Sequence, residues 1–270
     1  MTAAAPTEMP VRDAVLSLTG INKRFGAVQA LTDVHFDVAP GEVVALVGDN
    51  GAGKSTLIKV IAGVYTADSG SITFDGRQVS PRGPKQAQAL GIATIFQDLA
   101  LCDNLDVVAN LFLGQEHRIG LVMDEVAMEK EAWRLLRSLS AKIPSVRIPI
   151  AALSGGQRQT VAIARSLVGD PKVVILDEPT AALGVAQTAE VLNLIERLRD
   201  HGLAVVLISH NMADVQAVAD RIVVLRLGRN AAEFKVDEVS ATDLVAAITG
   251  ASDNVVAERA RRGTEGNADV

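Results

Sequence analysis

The sequence predicts an α/β fold in which a mostly parallel β-sheet is covered by helices on both faces. Short, nearly continuous apolar runs recur along the 270 residues, and such runs are typical of strands buried on both faces of a sheet. Helical patterns separate these runs, and alternation of strands with helices favours parallel pairing. Residues 98–168 carry several helical patterns and little strand signal, which predicts a helical subdomain inserted into the α/β core.

Composition narrows the class of protein. The formal net charge of −6 argues against a chain built mainly to bind nucleic acid. Cys102 is the only cysteine, so no internal disulfide can form, as is usual in a reducing compartment. The sequence has no apolar run of about 18 residues and no secretory signal. We therefore expect a soluble cytoplasmic globular protein.

The two ends of the chain differ in composition from the rest. Residues 1–13 are rich in small side chains and predict a flexible arm, whereas residues 251–270 are polar and charged and predict a flexible tail. We expect one domain over residues 14–250, with the helical subdomain inserted in it.

Predicted strands and helices follow one another along this domain. Val34, Phe36 and Val38 alternate with polar residues, which predicts a half-buried strand near the edge of the domain. The apolar run at residues 42–48 predicts a strand buried on both faces. Further strands are predicted at residues 71–75, 91–97, 173–177, 203–209 and 221–227. Helices are predicted at residues 54–62, 106–113, 124–142, 155–168 and 185–200.

A glycine-rich turn separates the predicted strand at residues 42–48 from the helix that begins near Lys54. It matches the pattern G-x-x-x-x-G-K-[ST] without a gap, and its glycines let backbone N–H groups converge on one point. The pattern predicts phosphate binding, with Lys54 on the β- and γ-phosphates and the Ser55 hydroxyl on Mg²⁺. The alternative is a plain strand–helix turn. The predicted nucleotide-binding residues here are Gly48, Asp49, Asn50, Gly51, Ala52, Gly53, Lys54, Ser55 and Thr56.

Two acidic residues stand at the end of the predicted strand at residues 173–177. In a parallel sheet, ligands bind outside the carboxyl ends of the strands, so we expect Asp177 to face Mg²⁺ directly or through water. Glu178 is the better candidate to orient the attacking water, since positioning and charge supply most of the catalysis in phosphoryl transfer. The alternative is a surface acidic pair that caps a strand.

The sequence LSGGQ at residues 153–157, followed by RQTVAIAR, resembles the signature of ABC ATPases. The resemblance covers roughly residues 15–235. It implies a P-loop NTPase core with a mostly parallel sheet, an N-terminal antiparallel β subdomain and an inserted helical subdomain. It also implies ATP hydrolysis with ATP and Mg²⁺. The signature residues that would bind nucleotide are Ser154, Gly155, Gly156 and Gln157.

Three further positions match this family. Phe25 resembles the aromatic residue that stacks on adenine, although a core phenylalanine is the alternative. Gln97 resembles the glutamine that touches Mg²⁺ and senses the transmembrane partner. His210, after the predicted strand at residues 203–209, resembles the histidine that contacts the γ-phosphate, although a lone histidine after a strand is usually structural.

The resemblance also implies a second ATPase chain. Ser154 is expected to cap a helix whose N–H groups point at an anion. In this family two chains meet head to tail, and each signature helix closes on the γ-phosphate bound by the other chain. We expect a homodimer with two competent sites, and the alternative is a pair with a different cassette. Gly184 stands where most members of the family carry aspartate, which leaves the coupling between the two sites open.

The stretch at residues 96–114 is similar to that of bacterial importers of monosaccharides of the ribose, xylose and fructose type. This similarity implies an integral-membrane permease, a sugar-binding protein outside the cytoplasm, and a peripheral position on the cytoplasmic face of the membrane. Residues 98–118 are a candidate docking surface for a coupling helix of the permease, to which an apolar stripe contributes, unless that stripe is only the core of the helical subdomain. The residues of the stripe are Leu101, Leu105, Val108, Leu111 and Phe112.

Two other functions remain open from the sequence. A soluble ABC ATPase that moves no solute, such as one that assembles clusters, would carry the same motifs. A nucleotide-binding regulator without catalysis is disfavoured by the presence of Lys54, Asp177, Glu178 and His210.

Overall fold

The structure, a computed structural model, describes residues 13–251. The flexible arm predicted at residues 1–13 and the flexible tail predicted at residues 251–270 therefore lie outside the described residues, apart from residues 13 and 251 themselves. Within the described part of the chain, no helix combines the length and the apolar composition that a membrane span requires.

Strands and helices alternate along the chain. The strands are β1 (Leu16–Phe25), β2 (Val28–Val38), β3 (Val43–Val47), β4 (Ser69–Phe74), β5 (Arg77–Val79), β6 (Ile92–Ile95), β7 (Arg118–Ile119), β8 (Val122–Met123), β9 (Val173–Asp177), β10 (Ala204–Ile208), β11 (Arg221–Arg226) and β12 (Arg229–Lys235). The α-helices are α1 (Lys54–Ile61), α2 (Pro84–Leu90), α3 (Val107–Phe112), α4 (Glu125–Ser138), α5 (Gly155–Ser166), α6 (Val185–Asp200), α7 (Met212–Val218) and α8 (Ala241–Thr249).

The larger sheet has six strands in the order β12-β11-β3-β10-β9-β6. Every pair in it is parallel except β11 with β12, so the predicted mostly parallel sheet is confirmed. All five residues of β3 and of β10 are buried. On β3, Val43, Ala45 and Val47 face one core and Val44 and Leu46 face the other, because successive side chains point to opposite faces.

The smaller sheet has four antiparallel strands in the order β2-β1-β4-β5, which confirms the implied N-terminal antiparallel subdomain. β2 is an edge strand, and Val34, Phe36 and Val38 on it are buried whereas His35 is exposed. This sheet shares its core with α1 and with one face of the larger sheet. The antiparallel sheet is therefore packed beside the helix that follows the glycine-rich turn.

The region between β6 and β9 contains α3, α4 and α5, in agreement with the helical patterns there. The short hairpin formed by β7 and β8 was not predicted, and its side chains are exposed. Val108, Leu111 and Phe112 are buried within the core shared by these helices. The prediction that they form part of a docking surface was therefore wrong, because the same helical spacing that exposes a stripe in an isolated helix covers it when α4 and α5 pack against α3.

A second difference concerns the end of β6. The sequence predicts a strand to residue 97, but the strand ends at Ile95, so Gln97 lies in the connection that follows it. The apolar residues up to Ile95 are buried, whereas Gln97 and Asp98 are exposed. Gln97 can therefore change its contacts without disturbing the sheet.

A buried arginine joins the two sheets. Arg221, the first residue of β11, has a side chain only 3% exposed. Its guanidinium donates to Glu42 at 3.0 Å, to Asp37 of β2 at 2.9 Å, and to Glu233 of β12. Burial acts to lower the pKa of Arg221, but the hydrogen bonds with Glu42 and Glu233 and the charge of Asp37 outweigh it and raise the pKa.

Replacement of Arg221 by methionine should destabilise the fold by about 3–5 kcal/mol, because it removes the buried cation that the carboxylates of Asp37, Glu42 and Glu233 contact. The shift in the urea-unfolding midpoint measures the loss. Arg134→Met is the matched control, since Arg134 pairs with Glu131 on an exposed helix face, and should cost about 0.5 kcal/mol or less. Equal losses in the two variants would contradict the role given to Arg221.

Candidate functional site

The parallel sheet brings three of the predicted segments to one edge. In the register of the sheet, Ile208 at the end of β10 is paired with Leu46 of β3 on one side and with Asp177 of β9 on the other. The glycine-rich turn follows β3, the acidic pair ends β9, and His210 follows β10. Residues that are far apart in sequence therefore lie together outside the carboxyl ends of neighbouring strands.

Two glycines of the turn are required by its geometry. Gly48 has a φ of 150°, and a Cβ placed on it would lie 2.2 Å from the carbonyl oxygen of Leu225. Gly53 has a φ of 106°, and a Cβ there would lie 2.9 Å from the Leu31 side chain of β2. Any larger residue would push the turn away from the two strands that support it.

The N-terminus of α1 fits an anionic ligand. The first backbone N–H groups of α1 have no partner within the helix, as at every helix start, and Gly53 before them provides no side-chain cap. The Lys54 ammonium donates to the carbonyl oxygens of Gly48 at 2.6 Å and Asp49 at 3.1 Å, which holds it over the turn. Backbone donors, a helix N-terminus and a cation thus converge as phosphate binding requires.

Charges around the turn act on one another. Burial lowers the pKa of Lys54, and the nearby carboxylates of Glu178, Asp49 and Asp177 partly oppose that shift. Burial raises the pKa of Asp177, the charge of Glu178 adds to the rise, and Lys54 opposes it. These opposite shifts place Lys54, Asp177 and Glu178 in one partly buried electrostatic group, as is frequent at functional sites.

Glu178 is held by the neighbouring strand. Its backbone N–H donates to the carbonyl oxygen of Ile208 at 2.9 Å, and its φ is 52°, in the left-handed region. The Glu178 carboxylate lies 2.8 Å from Nδ1 of His210, and the two side chains are 16% and 77% exposed. The structure therefore pairs two residues that the sequence could assign only separately.

The remaining predicted residues lie around this centre. Phe25, at the end of β1, is 40% exposed and packs edge-on against Tyr65 with ring centroids 5.0 Å apart. The alternative that Phe25 is a core phenylalanine is thus wrong. Gln97 follows β6, the strand next to β9, and is exposed. Asp49, Asn50 and Gly51 on the turn and Ser55 in the first turn of α1 are exposed, whereas Ala52 is buried and Gly48, Gly53 and Thr56 are half-buried.

The signature sequence forms a capped helix start, as predicted. The Ser154 hydroxyl accepts a hydrogen bond from the Gln157 backbone N–H at 3.3 Å, and the Gln157 side chain accepts from the Ser154 N–H at 3.0 Å. Ser154 and Gly155 are exposed, and Gly156 is buried against Gln187 of α6. Among residues 13–251, no hydrogen bond or ion pair joins residues 154–157 to the glycine-rich turn.

Gly184 precedes α6 in an ordinary extended conformation, with a φ of −75°. A Cβ placed on it would meet nothing within 4 Å, so space for a side chain exists at this exposed position. Glycine here is not demanded by packing, and it leaves the N-terminus of α6 without a side-chain cap.

Sequence reasoning missed three residues of this region. Tyr65 packs against Phe25. It is the only tyrosine of the chain, and nothing in the sequence around it predicts this contact. The Thr180 hydroxyl donates to the carboxylate of Asp214 at 2.7 Å. These two residues are 34 positions apart, and the only sequence signal was an acid four residues after His210.

A separate cleft of about 390 Å³ lies between the core and the helical region. It is lined by Pro84, Ala87, Phe96, Asp98, Leu113 and Arg165, among others. The connection that carries Gln97 thus borders the cleft on one side and the carboxyl edge of the sheet on the other.

Known proteins resemble the chain over most of its length. It is 45% identical to the fructose import ATP-binding protein FrcA of Rhizobium meliloti, over 90% of this chain and 96% of that protein. It is 44% identical to a ribose/galactose/methyl galactoside import ATP-binding protein of Burkholderia lata, named as putative, over 87% of this chain. The chain spans 46% of the length of that second relative.

Solved structures share the fold. The ADP conformation of MJ1267, an ATP-binding cassette of an ABC transporter, superposes with a TM-score of 0.77 at 28% identity, over 88% of this chain and 99% of that one. The dimeric post-hydrolysis cassette MJ0796 bound to ADP and Pi superposes with a TM-score of 0.70 at 25% identity, over 82% and 98%. A sequence model of the ABC transporter family matches residues 31–181. With this match, these relatives and the converging phosphate-binding turn, the chain belongs to the ABC transporter family.

Proposed function

We propose that this chain is the ATP-binding and ATP-hydrolysing subunit that powers solute import through a membrane permease, with a monosaccharide as the solute. The observation that carries the ATPase activity is the convergence of Lys54, Asp177, Glu178 and His210 at one sheet edge. The import of a sugar is supported by relatives named as importers of fructose and of ribose, galactose and methyl galactoside.

The turn would hold the triphosphate of ATP. Backbone N–H groups of the turn and of the first residues of α1 donate to the phosphates, and Lys54 exchanges its two carbonyl partners for phosphate oxygens. Phe25 would stack on the adenine with its exposed face. The residues assigned to the triphosphate are Gly48, Asp49, Asn50, Gly51, Ala52, Gly53, Lys54, Ser55 and Thr56.

Ser55, Gln97 and Asp177 would hold Mg²⁺. A hydroxyl, an amide oxygen and a carboxylate are the oxygen ligands that this cation prefers. Ser55 lies on α1, Asp177 ends β9 and Gln97 follows β6, all at the carboxyl edge of the sheet. When bound, Mg²⁺ neutralises charge on the phosphates, and its charge would favour the ionised form of Asp177.

Glu178 and His210 would perform the positioning for hydrolysis. Glu178 accepts a hydrogen bond from the attacking water and orients it towards the γ-phosphate, while His210 donates to a γ-phosphate oxygen. Lys54 would stabilise negative charge on the phosphates. Gln97 would sense the bound nucleotide through its contact with Mg²⁺. Both Glu178 and His210 must then leave their mutual contact, which His210 can do because its side chain is 77% exposed.

A second copy of the chain would complete each site. Ser154, Gly155, Gly156 and Gln157 form a helix start that is exposed at its first two residues. In the described residues it makes no hydrogen bond or ion pair with the glycine-rich turn of its own chain. A helix N-terminus of this kind suits an anion supplied by another molecule. The dimeric relative bound to ADP and Pi supports a head-to-tail homodimer closed around nucleotide.

The permease would dock in the cleft beside Gln97 rather than on the buried stripe of α3. The cleft is lined by the apolar residues Phe96, Leu113 and Ala87 and by the charged residues Lys85 and Arg165, which suits a helix with both apolar and polar sides. Residues 14–250 would act as one cassette, bound at the cytoplasmic face of the membrane through this contact. A sugar-binding protein on the other side of the membrane would deliver the solute to the permease.

Replacement of Glu178 by glutamine should trap ATP and stabilise the dimer, because binding survives while the water is no longer oriented. ATP turnover should fall about 100-fold or more. Gel filtration with and without Mg-ATP checks the dimer, and phosphate release checks turnover. The control is Glu131→Gln on α4, whose side chain pairs with Arg134 and should leave both measurements unchanged. Lost nucleotide affinity without dimer trapping would refute the role of Glu178.

Replacement of Lys54 by alanine should weaken ATP binding itself, since the charged donor to the phosphates is removed. We expect an increase in the dissociation constant of about 10- to 100-fold, measured with a fluorescent ATP analogue. Lys130→Ala, which removes an exposed lysine of α4, is the control. Equal affinity in the Lys54 and Lys130 variants would be incompatible with the phosphate-binding turn.

A further inference from the structure

The turn that carries Glu178 is held in a conformation that its residues do not prefer. Glu178 and Ala182 have φ angles of 52° and 61°, in the left-handed region that favours glycine. Such a conformation is unfavourable for a residue other than glycine and persists only where surrounding contacts hold it. The position of the Glu178 carboxylate therefore depends on what holds the turn.

Three contacts tie this turn to the end of β10 and to the segment that follows it. The Glu178 backbone N–H donates to Ile208, and the Glu178 carboxylate contacts His210. The third is the hydrogen bond from the Thr180 hydroxyl to the Asp214 carboxylate, at 2.7 Å. The two side-chain contacts, Glu178 with His210 and Thr180 with Asp214, would behave differently during hydrolysis.

The contact between Glu178 and His210 must open when each side chain turns to the substrate. Neither Thr180 nor Asp214 has any other task in the proposed chemistry. Asp214 is only 5% exposed, so its hydrogen bond is shielded from competing water. The bond between Thr180 and Asp214 is therefore the side-chain contact that can persist through the cycle.

Asp214 is also rigidly connected to His210. It lies in the first turn of α7, four residues after His210, and the Asn211 side chain caps this helix by accepting from the Ala213 N–H. Val215 and Val218 fix α7 in the core. A displacement of the turn that carries Glu178 would therefore also displace α7, the helix that follows His210.

We propose that Asp214 is a positioning residue for hydrolysis. By accepting the Thr180 hydroxyl, it fixes the turn that carries Glu178 relative to the segment that carries His210, so that the two side chains act on the same γ-phosphate. The proposal rests on the proposed function, because Glu178 and His210 supply the chemistry that Asp214 would position.

Replacement of Thr180 by valine removes the hydroxyl and keeps the shape of the side chain, and Asp214→Ala removes the acceptor. Each should lower kcat for ATP hydrolysis about tenfold and change KM for ATP less than about twofold, because nucleotide contacts are untouched. The double variant should be no slower than the slower single variant, since both remove the same hydrogen bond.

Two further substitutions separate positioning from stability. Thr180→Ser and Asp214→Asn retain a donor and an acceptor, and should recover at least about half of the wild-type kcat. Thr249→Val, at the end of α8, removes a hydroxyl that bonds to the Val245 carbonyl oxygen at 2.8 Å, and should leave kcat unchanged. Melting temperatures of all variants, measured alongside, report folding.

The outcomes are distinct. A kcat unchanged in Thr180→Val, in a wild-type protein that hydrolyses ATP, overturns the role of Asp214 and leaves the proposed function intact. A kcat equally low in Thr180→Ser and Thr180→Val also overturns it, because the hydroxyl would not be the cause. A wild-type protein with no more ATP turnover than Glu178→Gln would instead defeat the proposed function, and the positioning role with it.

Discussion

The parallel pairing of β3, β10 and β9 is the constraint on which the site depends. Parallel strands all end at the same edge of a sheet, so the pairing of the strands brings the turn after β3, the acid pair of β9 and the histidine after β10 together. Burial of these strands on both faces fixes their register, because a slip by one residue would exchange the two cores. The chemistry is thus positioned by packing.

The site contains partly buried charges and a residue in an unfavourable backbone conformation. Burial lowers the pKa of Lys54 and raises the pKa of Asp177, the charge of Glu178 adds to the rise at Asp177, and the opposite charges of Lys54 and Asp177 partly offset both shifts. Glu178 adds backbone strain through its left-handed φ. The sheet core and the buried Arg221 network, which join the two subdomains, supply the stability that keeps such a group in place.

The start of the signature helix α5 is held by hydrogen bonds between residues that are close in sequence. In its capping box, Ser154 and Gln157 hydrogen-bond to each other's backbone N–H groups. The Gln157 side chain also donates to the carbonyl oxygen of Lys142 in the helical region. The exposed helix start consequently has its own stable geometry before any partner arrives. Gly184, before α6, differs from Ser154 because it has no side chain to cap its helix, although the structure leaves space for one.

The sequence by itself determined the local features: the buried strands, the turn after β3, the acid pair of β9 and the capped start of α5. Each depends on residues within about ten positions, where spacing and residue type decide the conformation. Only the tertiary structure decided the pair of Glu178 and His210, the bond of Thr180 to Asp214 and the burial of the α3 stripe. A periodic pattern shows that a helix has an apolar face, but what covers that face depends on elements that are distant in sequence.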